Sequence, residues 1–367
     1  MIHTILAYLL ILAFAIYFIY DFFKCQHTSV TTDYYYLSFS TTSALKGLAA
    51  IIIICHHFCL YQFNHVDHNL FYSIIPKNGG NFALAIFLFL SGYGVTKSEL
   101  SKPLPFIPFI KRRLWKILKP CIIISCITLV CYSLFMPKSI TPYDVKDNWL
   151  NPFLVEIVQH KYSTGLLGEW FITKMDWYVY TTLVLYLLFF LTTIIKKRKG
   201  RRYFEDKRII MLFLLIIVYY VICCQIYPHS KAHYYRNLWA FGLGATLAYK
   251  PNLLSKKRNF VWCVICFSFL LLFNWAREGS LYAIATAIAI LILIFIGRVN
   301  QRYDIRNVYI LYLGSISYYL YLCHRTVYNL LWGNGMLNFI LFVCLSLFLG
   351  VCYFQLHNII QRCTRRI

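Results

Sequence analysis

Apolar residues in this chain come in long runs, each closed by a short stretch carrying charge, glycine, proline or asparagine. A helix needs about 17 to 25 apolar residues to cross a bilayer, because each residue rises about 1.5 Å. Read this way, the pattern predicts spans at Ile5–Phe23, Ser43–Phe63, Phe82–Thr96, Ile117–Met136, Trp177–Ile195 and Ile209–Tyr227. Further spans are predicted at Tyr235–Tyr249, Phe260–Trp275, Leu281–Ile296, Val308–Tyr328 and Leu337–Asn358, which makes 11 in all. No internal repeat or low-complexity segment interrupts the series. The expected fold class is all-α, a polytopic integral membrane protein. No Lys or Arg precedes the first run and no A-x-A site follows it, so it reads as a retained helix and not as a cleaved leader.

Composition agrees. The chain is 60% apolar and 13% charged with a mean hydropathy of +0.61, whereas a soluble domain is about 45–50% apolar. The formal net charge of +23 would suit a nucleic-acid partner, but its distribution points elsewhere. The basic clusters are Lys97–Lys119, Lys196–Arg208, Lys250–Arg258, Arg298–Arg306 and Arg362–Arg366. If the spans alternate, every cluster falls on one side of the membrane, and the positive-inside rule makes that side cytoplasmic. The N-terminus is then outside and the C-terminus cytoplasmic, in the cytoplasmic (inner) membrane. Such loops also touch anionic membrane lipids. No nucleic acid is expected as a partner, since no reading module is present.

Ionisable side chains inside hydrocarbon are expensive, and the run Lys46-Gly-Leu-Ala-Ala-Ile-Ile-Ile-Ile-Cys-His56-His57 holds them. Lys46 and His57 are 11 residues apart, close to whole turns of a helix, so they share one face about 16 Å apart. Imidazole can exchange a proton near neutral pH or act as a nucleophile. The plainer alternatives are histidines bonded to neighbouring helices and a lysine snorkelling to headgroups. His65 and His68 have no Cys or carboxylate cluster beside them, so no metal is expected. The 14 cysteines are scattered through spans as small hydrophobes, and Cys263-Val-Ile-Cys266 lacks a second pair.

Other polar positions recur at helical spacing. Ser91, Gly92, Tyr93 and Gly94 close the third span, where small residues also admit a neighbouring backbone. Arg112, Arg113 and Lys116 precede Pro120 at a helix start, where they could grip phosphates or simply set topology. Ser317, Tyr321 and His324 form one polar face, able to line a cavity or to fasten two helices. The longest outer connection, Pro137–Asp176, carries acidic residues among aromatics and reads as an ordered piece on the membrane surface.

These pieces, in this order, resemble the acyltransferase-3 family of integral membrane O-acyltransferases. Lys46…His57 resembles the family's Arg-x10-His helix, and Ile86–Gly94 its F-x-x-S-G-[FY] segment. Arg112–Pro120 is similar to the basic R-x-x-[RK]…P segment, and Glu169-Trp170-Phe171 to the aromatic loop. Ser317-Tyr318…Tyr321-Leu-Cys-His324 resembles the S-Y-x-x-Y-L-x-H ending. Lysine stands where the family has arginine, a compact ammonium in place of a planar fork. The resemblance implies a ten-helix core at 40–360, preceded by one extra N-terminal helix and linker at 1–39 and followed by a basic cytoplasmic tail at 361–367.

It also implies an O-acetyltransferase, moving an acetyl group from acetyl-CoA, or another acyl-CoA, to a hydroxyl of a cell-surface carbohydrate or lipid-linked glycan. His57 would be general base or transient acyl carrier, with Lys46 alongside. Arg112, Arg113 and Lys116 would hold the donor, and Ser91, Tyr93, Ser317, Tyr321 and His324 would line the substrate site. The alternative is a glycan transporter or flippase using the histidines as a proton relay, against which stands the lack of inverted repeats.

Overall fold

The computed structural model describes residues 2–24, 36–62, 78–135, 177–193, 201–226, 237–254, 261, 281–300, 303–330 and 336–366. Every regular element among the described residues is helical. They are α1 (Ile2–Lys24), α2 (Phe39–Gln62), α3 (Asn78–Ser101), the short α4 (Phe106–Phe109) and α5 (Trp115–Phe135). There follow α6 (Trp177–Thr192), α7 (Arg201–Ile226), α8 (Leu238–Tyr249), α9 (Leu281–Val299), α10 (Val308–Leu330) and α11 (Met336–Arg366). Four segments among the described residues are long and apolar enough to cross a membrane: Ile5–Lys24, Phe39–Cys59, Asn78–Ser101 and Leu337–Cys363. The predicted span Phe260–Trp275, apart from Val261, and the predicted surface piece Pro137–Asp176 lie outside the described residues.

The sequence reads as one hydrophobic domain, whereas the structure divides into two compact units, residues 1–102 with 234–367 and residues 103–233. In the first unit α2 and α3 form the centre and pack on each other, with α10 against α2 and α8 and α9 against α3. Small residues set these contacts. A Cβ on Gly92 would fall 2.0 Å from the Phe241 carbonyl oxygen, and one on Gly244 2.0 Å from that of Phe89. The α3 and α8 backbones therefore touch, as small-residue seams allow between membrane helices. Gly314 meets the Ser43 carbonyl in the same way and seats α10 on α2.

Two side chains start helices of this unit. Ser38 Oγ accepts the Thr41 amide at the head of α2, and Asn307 Oδ1 accepts the Tyr309 and Ile310 amides at the head of α10. Each satisfies amides that a first turn leaves without partners. The leading helix α1 packs within this unit. It buries Ala7, Phe18 and Phe22, and Asp21 accepts the Arg306 and Asn307 amides. Its other faces leave Leu9, Leu12, Ile16, Ile19 and Tyr20 exposed, as a helix facing lipid does.

Contacts fix relative directions within the unit. One end of α2 carries Lys46 and the other His57. Tyr93, late in α3, meets Leu37, while Gly80, early in α3, meets His56, so α3 runs opposite to α2. The chain leaves α8 at the Lys46 end and begins α9 at the His57 end. Residues 361–366 of the stretch read as a basic tail are helical, since α11 continues to Arg366.

In the second unit α4 passes through a π-helical stretch, Ile110–Leu114, into α5. Pro120 inside α5 has no amide to give the Lys116 carbonyl, so the ladder is broken there as well. Phe190 of α6 packs on Phe106 and Phe109 at 5.2 and 4.9 Å. One boundary differs from expectation. The basic stretch Lys196–Arg208 reads as a loop, but α7 begins at Arg201 and carries Arg208 inside, its guanidinium over the Phe189 ring. Cation–π contact and a long aliphatic stem make a buried arginine tolerable there.

Candidate functional site

Both members of the Lys46–His57 pair lie on α2, which runs unbroken through them. The adjacent histidines face different neighbours. His56 is buried against α3, where a Cβ on Gly80 would sit 2.6 Å from its Nε2. His57 turns to α10 and stacks on His324, with ring centroids 4.9 Å apart and planes 29° apart. Spacing along α2 singles out His57; the partner that meets it lies 267 positions away.

Packing and hydrogen bonding orient this pair. His324 is buried, and its Nδ1 lies 2.6 Å from the Tyr321 carbonyl oxygen. A carbonyl only accepts, so Nδ1 carries the proton and Nε2 is the accepting nitrogen of the neutral ring. Tyr321 lies against His324 at 5.7 Å and against Phe87 of α3 at 6.5 Å. Beside His57, Phe58 packs on Phe339 and Phe342 of α11, each at 5.2 Å. Two imidazoles in an aromatic surround can hold and pass a proton while little water competes for it.

A second polar group sits one residue from Gly80. Asn237 Nδ2 donates to Asn81 Oδ1 at 3.2 Å, and Thr286 Oγ1 donates to Asn237 Oδ1 at 2.5 Å. All three residues are buried. The sequence reading missed them for a physical reason. Asn237 occupies the N-cap position of α8, where asparagine ordinarily caps, yet it makes no side-chain cap bond and turns inward instead.

The Lys46 end is polar in another way. The Asp304 carboxylate accepts hydroxyls from Ser38 and Ser40 at 2.6 Å and from Thr41 at 3.0 Å, and the Ile305 amide at 2.8 Å. Burial pushes this carboxyl up, but those bonds outweigh it and hold Asp304 below the ordinary value of 3.8. Asn300 bonds the Ser38 amide, the Thr41 hydroxyl and the Tyr303 carbonyl, completing a knot that fixes the start of α2. Lys46 follows on α2, half-buried beside the Gly47–Gly314 contact.

The other expected site residues divide. Tyr321 and His324 are brought to His57. Ser317 is buried on the same helix, its hydroxyl on the Gly314 carbonyl. Tyr93 is at the Lys46 end, where its hydroxyl donates to the Leu37 carbonyl and accepts the Leu37 amide, both at 3.0 Å. Ser91 is half-buried beside Gly92, and Gly94 has open space around it. Arg112 and Lys116 are exposed and Arg113 half-buried in and beside the π-helical stretch of the second unit. His65, His68, Glu169, Trp170 and Phe171 lie outside the described residues.

A family model described as an acyltransferase domain matches residues 42–355, most of the chain. No curated protein and no solved structure matches it.

Proposed function

The chain belongs to the acyltransferase-3 family and is an integral membrane protein, and from that premise we propose that it is an O-acyltransferase with His57 as general base. The acetyl group comes from acetyl-CoA on the cytoplasmic side, and the acceptor is a hydroxyl of a cell-surface carbohydrate or lipid-linked glycan. The His57 imidazole takes the hydroxyl proton as the acceptor oxygen attacks the thioester carbonyl. The carbon–sulfur bond breaks, and the proton passes from His57 to the leaving sulfur. An ester and free CoA thiol result, with no other reactant consumed. His324, stacked on His57, holds the ring in place.

The stack of His57 on His324 carries this reading. In that stack two imidazoles from distant helices share one buried place, so a proton taken up by either ring is felt by the other. Lys46 supplies charge at the cytoplasmic end of α2, and Arg112, Arg113 and Lys116 are the candidate phosphate-binding cations of the second unit. The test uses the purified chain in lipid nanodiscs with labelled acetyl-CoA and a glycan extract, following label transfer and thiol release. His57→Ala should lose about 100-fold or more in rate, the usual share of a general base. Unchanged transfer in that variant would remove His57 from the mechanism. A transporter would release no thiol at all.

A further inference from the structure

We propose that Asn81 is a binding residue for the acceptor, donating a hydrogen bond from its amide nitrogen to an oxygen of an uncharged sugar; this rests on the acyl-transfer reading above. The chain Thr286 → Asn237 → Asn81 is polarised, each residue donating to the carbonyl oxygen of the next. It terminates on the Asn81 carbonyl oxygen, which orients that amide and leaves its Nδ2 as the terminal donor. Among the described residues that nitrogen has no acceptor. It is not sealed away either, because Asn81 keeps 9% of its surface exposed. In a membrane interior an amide without a partner is costly, so an oriented and reachable donor calls for a ligand oxygen.

Position and charge narrow the ligand. Asn81 follows Gly80, on which His56 rests, so the donor lies at the depth of the histidine pair, near the end of α2 opposite Lys46. The groups that orient it, Asn237 and Thr286, are neutral. A charged acceptor would call for a charge-assisted partner such as arginine, while a neutral amide suits a hydroxyl or ring oxygen. The occupant is therefore an uncharged hexose ring, presented from the end of the unit that carries His57.

The experiment measures binding of methyl hexopyranosides (glucose, galactose, mannose and rhamnose forms) to the full chain in nanodiscs by saturation-transfer NMR, and then their KM as acetyl acceptors. Asn81→Ala and Asn81→Asp should weaken sugar binding and raise the sugar KM by about five- to tenfold, with the acetyl-CoA KM moved less than about twofold. Thr286→Val, which leaves Asn81 in place and only loosens its orientation, should raise the sugar KM by about two- to threefold. An equal fall of kcat in these variants with both KM values unchanged would mark a merely structural role and overturn the proposal. Failure of the wild-type chain to bind any of these sugars would overturn it as well. Sugar binding that depends on Asn81 while His57→Ala stays fully active would sink the base assignment and leave the acceptor site standing.

Discussion

The two ends of the first unit are both polar, and they are polar in opposite ways. At the Lys46 end the protein turns inward on Asp304: hydroxyls of Ser38, Ser40 and Thr41 and the Ile305 amide all converge on its Oδ1. At the other end His57 and His324 lie face to face, and Asn81 keeps a donor to spare. A carboxylate oxygen that gathers donors from its own chain holds the fold. A stacked pair of proton carriers and an unspent donor are arranged for something that arrives. Polarity inside a membrane thus serves the fold at one end and chemistry at the other.

The sharpest way to break this contrast is to damage one residue at each end. His57→Ala is expected to lose about 100-fold or more in acyl-transfer rate, with its thermal unfolding close to wild type. Asp304→Ala should do the reverse. It strips the partner from hydroxyls at the head of α2 and is expected to destabilise the fold by about 2–3 kcal/mol, while the folded fraction keeps its kcat. Thermal unfolding and initial rates on the same nanodisc samples check both. Equal thermal losses in the two variants would erase the distinction.

Acid provides a finer cut. The Asp304 carboxyl lies below 3.8 in the fold, so below that value the unfolded chain takes up its proton first. Its contribution is fully present above the unfolded value and disappears as pH falls through the folded one. Asp304→Asn should therefore flatten the acid side of the stability curve and leave the region above pH of about 5 unchanged in slope. The smallest expected effect belongs to Tyr93→Phe, which removes two hydrogen bonds to the Leu37 backbone. It should lower stability by about 1–2 kcal/mol, read by thermal unfolding. A rise in acceptor KM in place of that loss would move Tyr93 from the structural end to the working one.

Much of this was legible in the apolar runs. The predicted spans at Ile5–Phe23, Ser43–Phe63 and Val308–Tyr328 fall inside or within a residue of α1, α2 and α10, because a long run closed by charge leaves few alternatives. The Lys46–His57 offset was legible for the same reason, since both lie on one helix. What could not be read was which residues of distant helices meet. His324 faces His57 because Gly314 lets α10 settle on α2, and nothing local to either histidine encodes that. The division into two units was hidden too, as both are equally apolar. Arg208 looked like a loop cation because sequence counts charge and not the Phe189 ring that receives it.

The central claim is that His57 and His324 act as one unit. A double-mutant cycle on acyl transfer tests it directly, comparing kcat/KM of His57→Ala, His324→Ala and the double variant in identical nanodiscs. The account predicts that the double variant is no slower than His57→Ala alone, because His324 acts only through the His57 ring and has nothing to hold once that ring is gone. A double variant whose loss equals the product of the two single losses would show independent roles and contradict it.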